Sequence, residues 1–246
     1  MLTQVENLPI IQAPQLQRFD WLLHGFGLKD ISIEDYLRAA GLKNPVIPKT
    51  HQSHGNTVHV CSHHDLRLPA GSLAGSTNPV LEGDVFVTNQ PGIVCWVRSA
   101  DCLPILLADR KNKAVAAVHA GWRGTAQKAI LAAIETMQKQ FHTQTSDVIA
   151  ALGPAIGGRC YHVGSDVVQI FKKSGLYPNP WLEQVDPTHW YLDIAYANLH
   201  LLEEAGLTKE NIYLSLACTA CDLEKFHSFR REKGKRGEQV SFILVR

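Results

Sequence analysis

The feature that most limits the fold is a change of hydrophobic spacing in the middle of the chain. Short apolar runs separated by turns predict strands at about residues 93–98, 104–108 and 114–119. Across residues 125–141 the apolar positions recur at helical spacing instead, which predicts one amphipathic helix. Strands joined by short turns and then covered by a helix indicate a fold that combines both element types in layers.

The rest of the chain continues this alternation. The same patterns predict a loop at 66–83, strands at 148–152, 212–216 and 240–245, and helices at 165–173 and 194–205. Because several strands follow one another through short turns, a simple doubly wound parallel sheet fits less well. We predict an α/β fold, a layered sandwich with a mixed β-sheet core, in which residues 1–246 form a single domain.

Charge and hydropathy exclude some classes of partner. The chain has 24 Lys and Arg against 23 Asp and Glu, so its net charge of +1 attracts neither nucleic acid nor an anionic membrane. The basic stretch at 230–236 is interrupted by Glu232 and fits a solvated turn as well as a phosphate site. No basic and apolar leader precedes residue 10, and no apolar run reaches the ~18 residues of a membrane span. We therefore expect a cytoplasmic protein with neither a nucleic-acid nor a membrane partner.

Cysteines are the next source of chemistry. In a reducing compartment they act as thiols or metal ligands rather than as disulfides. Cys218 and Cys221 form a C-x-x-C, but no second pair completes a four-thiolate zinc site, so we expect no separate metal site there. The six cysteines are Cys61, Cys95, Cys102, Cys160, Cys218 and Cys221.

Three segments place reactive side chains beside glycine or proline at the ends of predicted strands. They are residues 51–55 (HQSHG), 99–104 (SADCLP) and 119–124 (HAGWRG). Side chains at strand ends can converge on one mouth of a sheet. Two imidazoles and one thiolate are natural zinc ligands, and three protein ligands leave a fourth position for water or substrate.

The residues alone leave the ligand set open. Cys102 also fits a small buried apolar position. His54 competes for the first ligand role with other histidines in the same part of the chain, namely His51, His59, His63 and His64. His119 ends an apolar strand before a glycine turn, which favours a ligand role over that of a core histidine.

The polar neighbours of these residues also have two interpretations. Arg123 suits phosphate through its planar fork of donors, and it equally fits a surface position beside Trp122. Asp101 and Asp84 are each candidates to orient a ligand imidazole or to transfer a proton. Asp84 is also placed to cap a turn.

Together the motifs resemble the YfiH family, also called the laccase-domain or polyphenol oxidase family. The resemblance covers roughly residue 48 to the end. It rests on HQSHG at 51–55, GD at 83–84, ADCLP at 100–104, HAGWRG at 119–124, LGPAIG at 152–157, CT at 218–219, FHSFRR at 226–231 and VSFI at 240–243.

This resemblance implies an α/β sandwich with Zn²⁺ held by His54, Cys102 and His119. It also implies phosphorolysis of adenosine, inosine and methylthioadenosine, together with adenosine deamination. The partners would be purine nucleosides and phosphate. We predict catalytic roles for Cys102 and His119, and for Arg123 and Asp101 because they lie close to these two residues in the chain. The chain departs from the family at residues 24–30 (HGFGLKD), where relatives carry an S-T-R-x-G-G-x-S stretch.

Three other functions stay as alternatives. A copper polyphenol oxidase is disfavoured, because Cys102 lacks flanking histidines and Met137 lies on the helical stripe, although copper can occupy an N/S site in vitro. A metal-free hydrolase would use Cys102 as nucleophile with His119. A bacterial cell-wall quality-control factor would show negligible nucleoside turnover.

Overall fold

The computed structural model describes residues 2–5, 8–66, 80–177, 179–234 and 237–246. The strands in this part of the chain are β1 Leu2–Val5, β2 Leu8–Ile11, β3 Leu22–Gly27, β4 Lys49–His51, β5 Val58–Val60, β6 Val80–Glu82, β7 Val85–Thr88, β8 Val94–Ser99, β9 Leu103–Asp109, β10 Ala114–Ala120, β11 Val148–Leu152, β12 His162–Gly164, β13 Leu182–Gln184, β14 His189–Leu192, β15 Ile212–Leu214 and β16 Gln239–Val245. The α-helices are α1 Pro14–Gln17, α2 Ile33–Ala39, α3 His63–Leu66, α4 Trp122–Ala126, α5 Ala129–Phe141, α6 Ser165–Lys173 and α7 Ile194–Glu204.

Two large sheets form the centre of the fold. One has five strands in the order β1-β2-β3-β16-β8, and the other has six in the order β15-β11-β9-β10-β7-β5. Pairing in the six-stranded sheet is antiparallel except at its edges, where β15 and β5 run parallel to their neighbours. Two smaller sheets, β12-β14-β13 and β4-β6, lie outside this pair.

Side-chain packing divides the molecule into four layers. Alternate residues of β9, such as Leu106, face the five-stranded sheet and pack with Phe26 and Ile243. The intervening residues, such as Leu107, pack against α5, α6 and α7 on the other face. Helix α2 covers the outer face of the five-stranded sheet. Because β9 and β10 are buried along their whole lengths, they read as continuous apolar runs rather than as alternating strands.

The predicted α/β sandwich with a mixed sheet is confirmed. The strands expected at 93–98, 104–108 and 114–119 are β8, β9 and β10, and the helix expected at 165–173 is α6. Nothing in the structure tests the extent of the single predicted domain, which stays a prediction.

The single helix predicted at 125–141 is wrong. The structure has α4 and α5, separated at Lys128, whose φ of 57° lies in the left-handed region and breaks the helical path. The first turn begins three residues earlier than predicted, because the Thr125 amide donates to the carbonyl of Gly121. The buried stripe from Ala129 to Met137 is as predicted.

The N-terminal region and the peripheral sheets were not predicted. Helix α2 begins with a capping box, in which Ser32 and Asp35 exchange side-chain to backbone hydrogen bonds. The loop predicted at 66–83 contains strand β6 at its C-terminal end, and its residues 67–79 lie outside the described residues. Among the helices that the structure describes, none is both long and apolar enough to cross a bilayer.

His24 is a buried histidine in the centre of β3, with only 1% of its surface exposed. Its Nε2 accepts a hydrogen bond of 3.0 Å from the amide of Ala13. Burial lowers the pKa of His24 to about 4. The folded protein therefore excludes a proton that the unfolded chain binds below pH 6.5.

We expect the free energy of unfolding to fall as the pH drops from 6.5 toward 4. Protonation of His24 would account for about 3 kcal/mol of this loss of stability, at about 1.4 kcal/mol per pH unit. Urea unfolding between pH 7 and pH 4.5 should give a flatter pH dependence for His24→Gln than for the wild type. His64→Gln is the control, since the His64 side chain is 97% exposed and its removal should leave the curve unchanged. Parallel curves for wild type and His24→Gln would show that His24 does not drive the loss.

Candidate metal centre

The chain passes from one large sheet to the other at Cys102. Strand β8 belongs to the five-stranded sheet and β9 to the six-stranded sheet, so residues 100–102 connect the two layers at one end of the sandwich. In the β9–β10 ladder Pro104 pairs with His119 and Leu103 with Ala120. This register places Cys102 beside the end of β10. A Cβ added to Gly121 would lie 2.8 Å from the Cys102 sulfur, so a larger residue would crowd the thiol.

His54 reaches this end of the sandwich from the loop after β4. Its φ of 61° is left-handed, an uncommon conformation for a residue with a side chain. The conformation aims the backbone amides of residues 53–55 at one carboxylate, that of Asp84. Donation to a buried anion stabilises a loop geometry that otherwise carries strain.

Asp84 also fixes His119. Its Oδ1 lies 2.7 Å from Nδ1 of His119, which leaves Nε2 of that ring to face the site. Burial alone would raise the pKa of Asp84, but the hydrogen bonds from His119 and the Gly55 amide hold it below its ordinary value. One ionised, fully buried carboxylate therefore positions both imidazoles. It both orients a candidate ligand and caps a turn, the two structural roles considered from the sequence.

The three predicted ligands converge. One ligand atom from each of His54, Cys102 and His119 lies within 4.8 Å of the others, and the two imidazole rings meet edge to face at a centroid distance of 4.9 Å. The other candidates for the first ligand, His51, His59, His63 and His64, do not join this group. Whether the three side chains hold a metal stays a prediction.

The electrostatics of this group suit a cation. Burial raises the pKa of the Cys102 thiol, but the two imidazoles more than offset this and lower it to about 6. Burial lowers the pKa of His119, while Cys102 and Asp84 raise it to about 9. A thiolate between two oriented imidazoles is the donor set that zinc prefers in proteins, and three donors leave one coordination position for solvent or substrate.

A cavity of ≈1050 Å³ opens onto the three side chains. Trp122, Tyr161 and Phe229 give it aromatic surface. Arg123 also lines it and stacks on the Trp122 ring, with its guanidinium carbon 4.2 Å from the ring centroid. The predicted phosphate role of Arg123 is untested, but its position places a fork of donors in the same cavity as the candidate metal ligands.

Two further arginines line this cavity, and neither was among the predicted site residues. Arg230 stacks on Tyr161 at 5.0 Å, and its amide donates to Asp101. Of the two interpretations of the basic stretch at 230–236, the position of this residue favours an anion-binding one. Arg98 lies near Glu238, with 3.8 Å between charged atoms. These residues are far apart in sequence, so no local pattern joins them.

Asp101 is tied into the wall of the cavity. Its carboxylate accepts hydrogen bonds from the hydroxyls of Thr219 and Ser228 and from the amide of Arg230, at 2.6, 3.0 and 2.7 Å. Its φ of 92° is a strained value that these contacts hold in place. The catalytic assignment of Asp101 stays a prediction, and its contacts favour a positioning role over proton transfer.

We expected no separate metal site at the C-x-x-C because no second pair of ligands accompanies it, and this stays a prediction. Cys160, which lies 61 residues before Cys221, joins Cys218 and Cys221 in a second cluster of potential ligands. Sequence spacing gives no signal for such a distant third thiol.

Comparisons with known proteins identify the family. Residues 33–246 match the model of a family described as multi-copper polyphenol oxidoreductase laccase. The chain belongs to this family. It is 36% identical over 162 residues to the purine nucleoside phosphorylase YlmD of Geobacillus stearothermophilus, covering 65% of this chain and 59% of that protein.

Other relatives carry related names. The purine nucleoside phosphorylase of Deinococcus radiodurans is 39% identical over 164 residues, covering 66% of this chain and 61% of the relative. Adenosine deaminase RL5, from an unknown prokaryotic organism, is 40% identical over 153 residues, covering 61% and 58%. The chain thus spans about six-tenths of the length of these relatives.

A solved structure shares the fold. The crystal structure of YlmD from Geobacillus stearothermophilus aligns with 99% of this chain and 98% of its own, with a TM-score of 0.83 and 25% identity. The sandwich is therefore that of this family over the whole chain.

We expect Asp84→Asn to weaken metal binding about 10–100-fold, the usual effect of losing the partner of a metal-bound histidine. An amide NH₂ group cannot accept the amide protons of Ser53 and Gly55, so the His54 loop loses its anchor. Asp109→Asn is the matched control, since Asp109 is equally buried and accepts amides of a turn at the opposite end of β9. Chelator competition measures the affinity. Equal affinities for the two variants would contradict the positioning role of Asp84.

Proposed function

We propose that the protein is a zinc-dependent purine nucleoside phosphorylase that splits adenosine, inosine and methylthioadenosine with phosphate, and that it also deaminates adenosine. The observation that carries the proposal is the shared cavity, in which a His₂Cys donor set, arginine side chains and aromatic surface face one another. The names of the family relatives point the same way.

The arginines account for the phosphate requirement. A planar guanidinium can donate two parallel hydrogen bonds to phosphate oxygens, which a lysine cannot. Stacking on Trp122 restricts the guanidinium of Arg123 to one plane while leaving its N–H edge available to a ligand. Phosphate held there would lie beside a nucleoside bound in the same cavity.

The aromatic wall accounts for the purine. Trp122 and Phe229 offer flat apolar surfaces on which a purine base can stack. Burial, with a smaller effect from the negative charge of nearby Cys102, raises the pKa of Tyr161 far above neutrality. Its hydroxyl therefore stays a hydrogen-bond donor, available to a base nitrogen or a sugar oxygen.

His54, Cys102 and His119 would hold the zinc ion. When bound, zinc supplies a Lewis acid and lowers the pKa of a coordinated water toward neutrality, which is the chemistry that deamination requires. Asp84 keeps Nδ1 of His119 engaged, so Nε2 is the atom offered to the ion. Asp101 holds the strand end on which Cys102 lies.

One observation favours a second candidate, a metal-free hydrolase. Without a cation, Cys102 and His119 form a thiolate–imidazolium pair, the arrangement of a cysteine nucleophile. Such an enzyme would keep its activity after chelation and would release base without phosphate.

A multicopper oxidase needs more ligands than are gathered here. In the part of the chain that the structure describes, the other cluster of three potential ligands consists of thiols alone. Met137 is buried in the core on α5 and does not line the cavity beside the His₂Cys group, so it does not supply an axial ligand. The donor set therefore favours zinc at a single-ion centre, although copper can replace zinc in vitro.

We expect Cys102→Ala and His119→Ala each to lose one equivalent of zinc together with nucleoside cleavage, while remaining folded. The reason is that two donors hold zinc far more weakly than three. Zinc is measured by elemental analysis and folding by circular dichroism. Wild-type zinc content in both variants, or full activity after chelation, would support the metal-free hydrolase instead.

We expect Arg123→Ala to raise the phosphate concentration needed for half-maximal cleavage of inosine about 10–100-fold. This corresponds to about 1.5–3 kcal/mol for hydrogen bonds to a charged group. Arg123→Lys should recover only part of the loss. Deamination of adenosine needs no phosphate and should fall less than base release.

Arg159→Ala is the matched control. Arg159 also stacks on an aromatic ring, that of Tyr191 at 5.3 Å, but it does not line this cavity. Hypoxanthine release is followed over a phosphate titration, and inosine formation is followed without phosphate. An unchanged phosphate dependence in Arg123→Ala would remove this residue from the mechanism. Wild-type base release that ignores phosphate would remove phosphorolysis itself.

A further inference from the structure

Three thiols form a second cluster outside the His₂Cys group. The sulfurs of Cys160, Cys218 and Cys221 lie within 4.8 Å of one another, with 3.4 Å between those of Cys160 and Cys221. Sulfurs that share one tetrahedral ion at about 2.3 Å are about 3.8 Å apart. A disulfide requires about 2.0 Å. The spacing therefore suits three thiolates around one ion.

Backbone hydrogen bonds hold Cys218 in position. The amide of Gly157 donates to the sulfur of Cys218 at 3.1 Å, and the amide of Cys221 donates at 3.2 Å to the carbonyl of Cys218. Hydrogen bonds of this kind orient metal ligands and stabilise the thiolate that a metal requires.

The turn between Cys218 and Cys221 is held in place before any ion binds. The Arg231 guanidinium donates to the carbonyls of Thr219 and Ala220, the two residues between the cysteines, at 2.7 and 3.2 Å. The same turn pairs with the chain at Ala155 through a short parallel bridge. A preformed turn reduces the ordering entropy that binding would otherwise require.

Cys160 is held from a separate segment. It ends a short 3₁₀-helix, Gly158–Cys160, and its neighbour Tyr161 accepts a hydrogen bond from the Leu192 amide. Three thiolates would repel one another without a cation, and a bound cation removes that repulsion.

We infer that Cys160, Cys218 and Cys221 form a second metal site that binds a thiophilic divalent ion, zinc in the first instance, with solvent as the fourth ligand. Each thiol that binds releases its proton to solvent as its sulfur bonds to the ion. Cys221 is exposed, so both water and metal have access. The site is separate from the His₂Cys centre and does not depend on the proposed nucleoside chemistry.

A metal ion at the three thiols would also stabilise residues that line the cavity of the His₂Cys centre. Thr219, within the C-x-x-C turn, donates at 2.6 Å to Asp101, the residue before Cys102. Tyr161, next to Cys160, lines the nucleoside cavity. An ion joining the two segments would therefore fix both groups relative to each other.

Cadmium, a soft divalent ion, serves as the probe. Reduced, chelator-stripped protein is titrated with Cd²⁺, and bound metal is counted by elemental analysis while the sulfur-to-cadmium absorption reports thiolate ligation. We expect two ions per wild-type chain. Cys221→Ser, Cys160→Ser and His119→Ala should each bind one, and the His119→Ala/Cys221→Ser double variant none.

Cys95→Ala is the control, since it removes a thiol buried between the sheets and should still bind two ions. If Cys221→Ser retains one ion, its His₂Cys centre and its fold are intact. Because Cys221 is exposed, this variant still tests the inference if Cys160→Ser does not fold. One ion per wild-type chain, or two in Cys221→Ser, would overturn the inference. The inference would also be overturned if Cys160 and Cys221 form a disulfide in air and the reduced protein binds a single ion.

Discussion

Burial of β9 and β10 on both faces is the constraint on which the rest of the molecule depends. With one sheet packed on one side and helices on the other, their interior positions are apolar and carry no catalytic group. Polar and reactive residues are therefore confined to the strand ends. At one end Asp109 caps a turn, and at the other Cys102 and His119 lie side by side. The candidate centre therefore lies at the strand ends, at the edge of the apolar core.

A second consequence is that buried charge needs internal compensation. Asp84 and Asp101 both lie at the end of the sandwich that holds the candidate centre, with little access to solvent. Each satisfies its oxygens with amides or hydroxyls from several segments, and Asp84 with an imidazole as well. Such buried carboxylates tie loops together, because removing a donor leaves a buried charge with fewer partners. They connect segments up to 129 residues apart into one site.

The sequence predicted those strands and helices whose apolar residues recur at a regular spacing. Most of the longer strands and helices between residues 93 and 205 were located to within a residue or two, because their apolar patterns are long enough to show a period. Helix α2 was missed although Ser32 and Asp35 carry a capping-box signal. The three-residue strands β12 and β13 have too few positions for any period to show.

The candidate site divides in the same way. Cys102 and His119 were candidates because they lie at the ends of apolar strands, and His54 was one of several neighbouring histidines. The family resemblance selected all three as the expected ligands. The left-handed loop and the Asp84 anchor that select His54 are tertiary features. The thiol cluster and the arginines that line the cavity bring together residues from distant segments, and no local sequence pattern predicts such contacts.

Strand β16 has a consequence for how the protein is made. It lies between β3 and β8 in the five-stranded sheet, pairing residues 22–26 with residues 241–245. During synthesis, β3 and β8 therefore have no shared neighbour until residue 245 has left the ribosome. Contacts of such long sequence separation form slowly. Until then part of the inner face of the six-stranded sheet lacks its cover, and exposed apolar surface of this kind favours aggregation of a nascent chain.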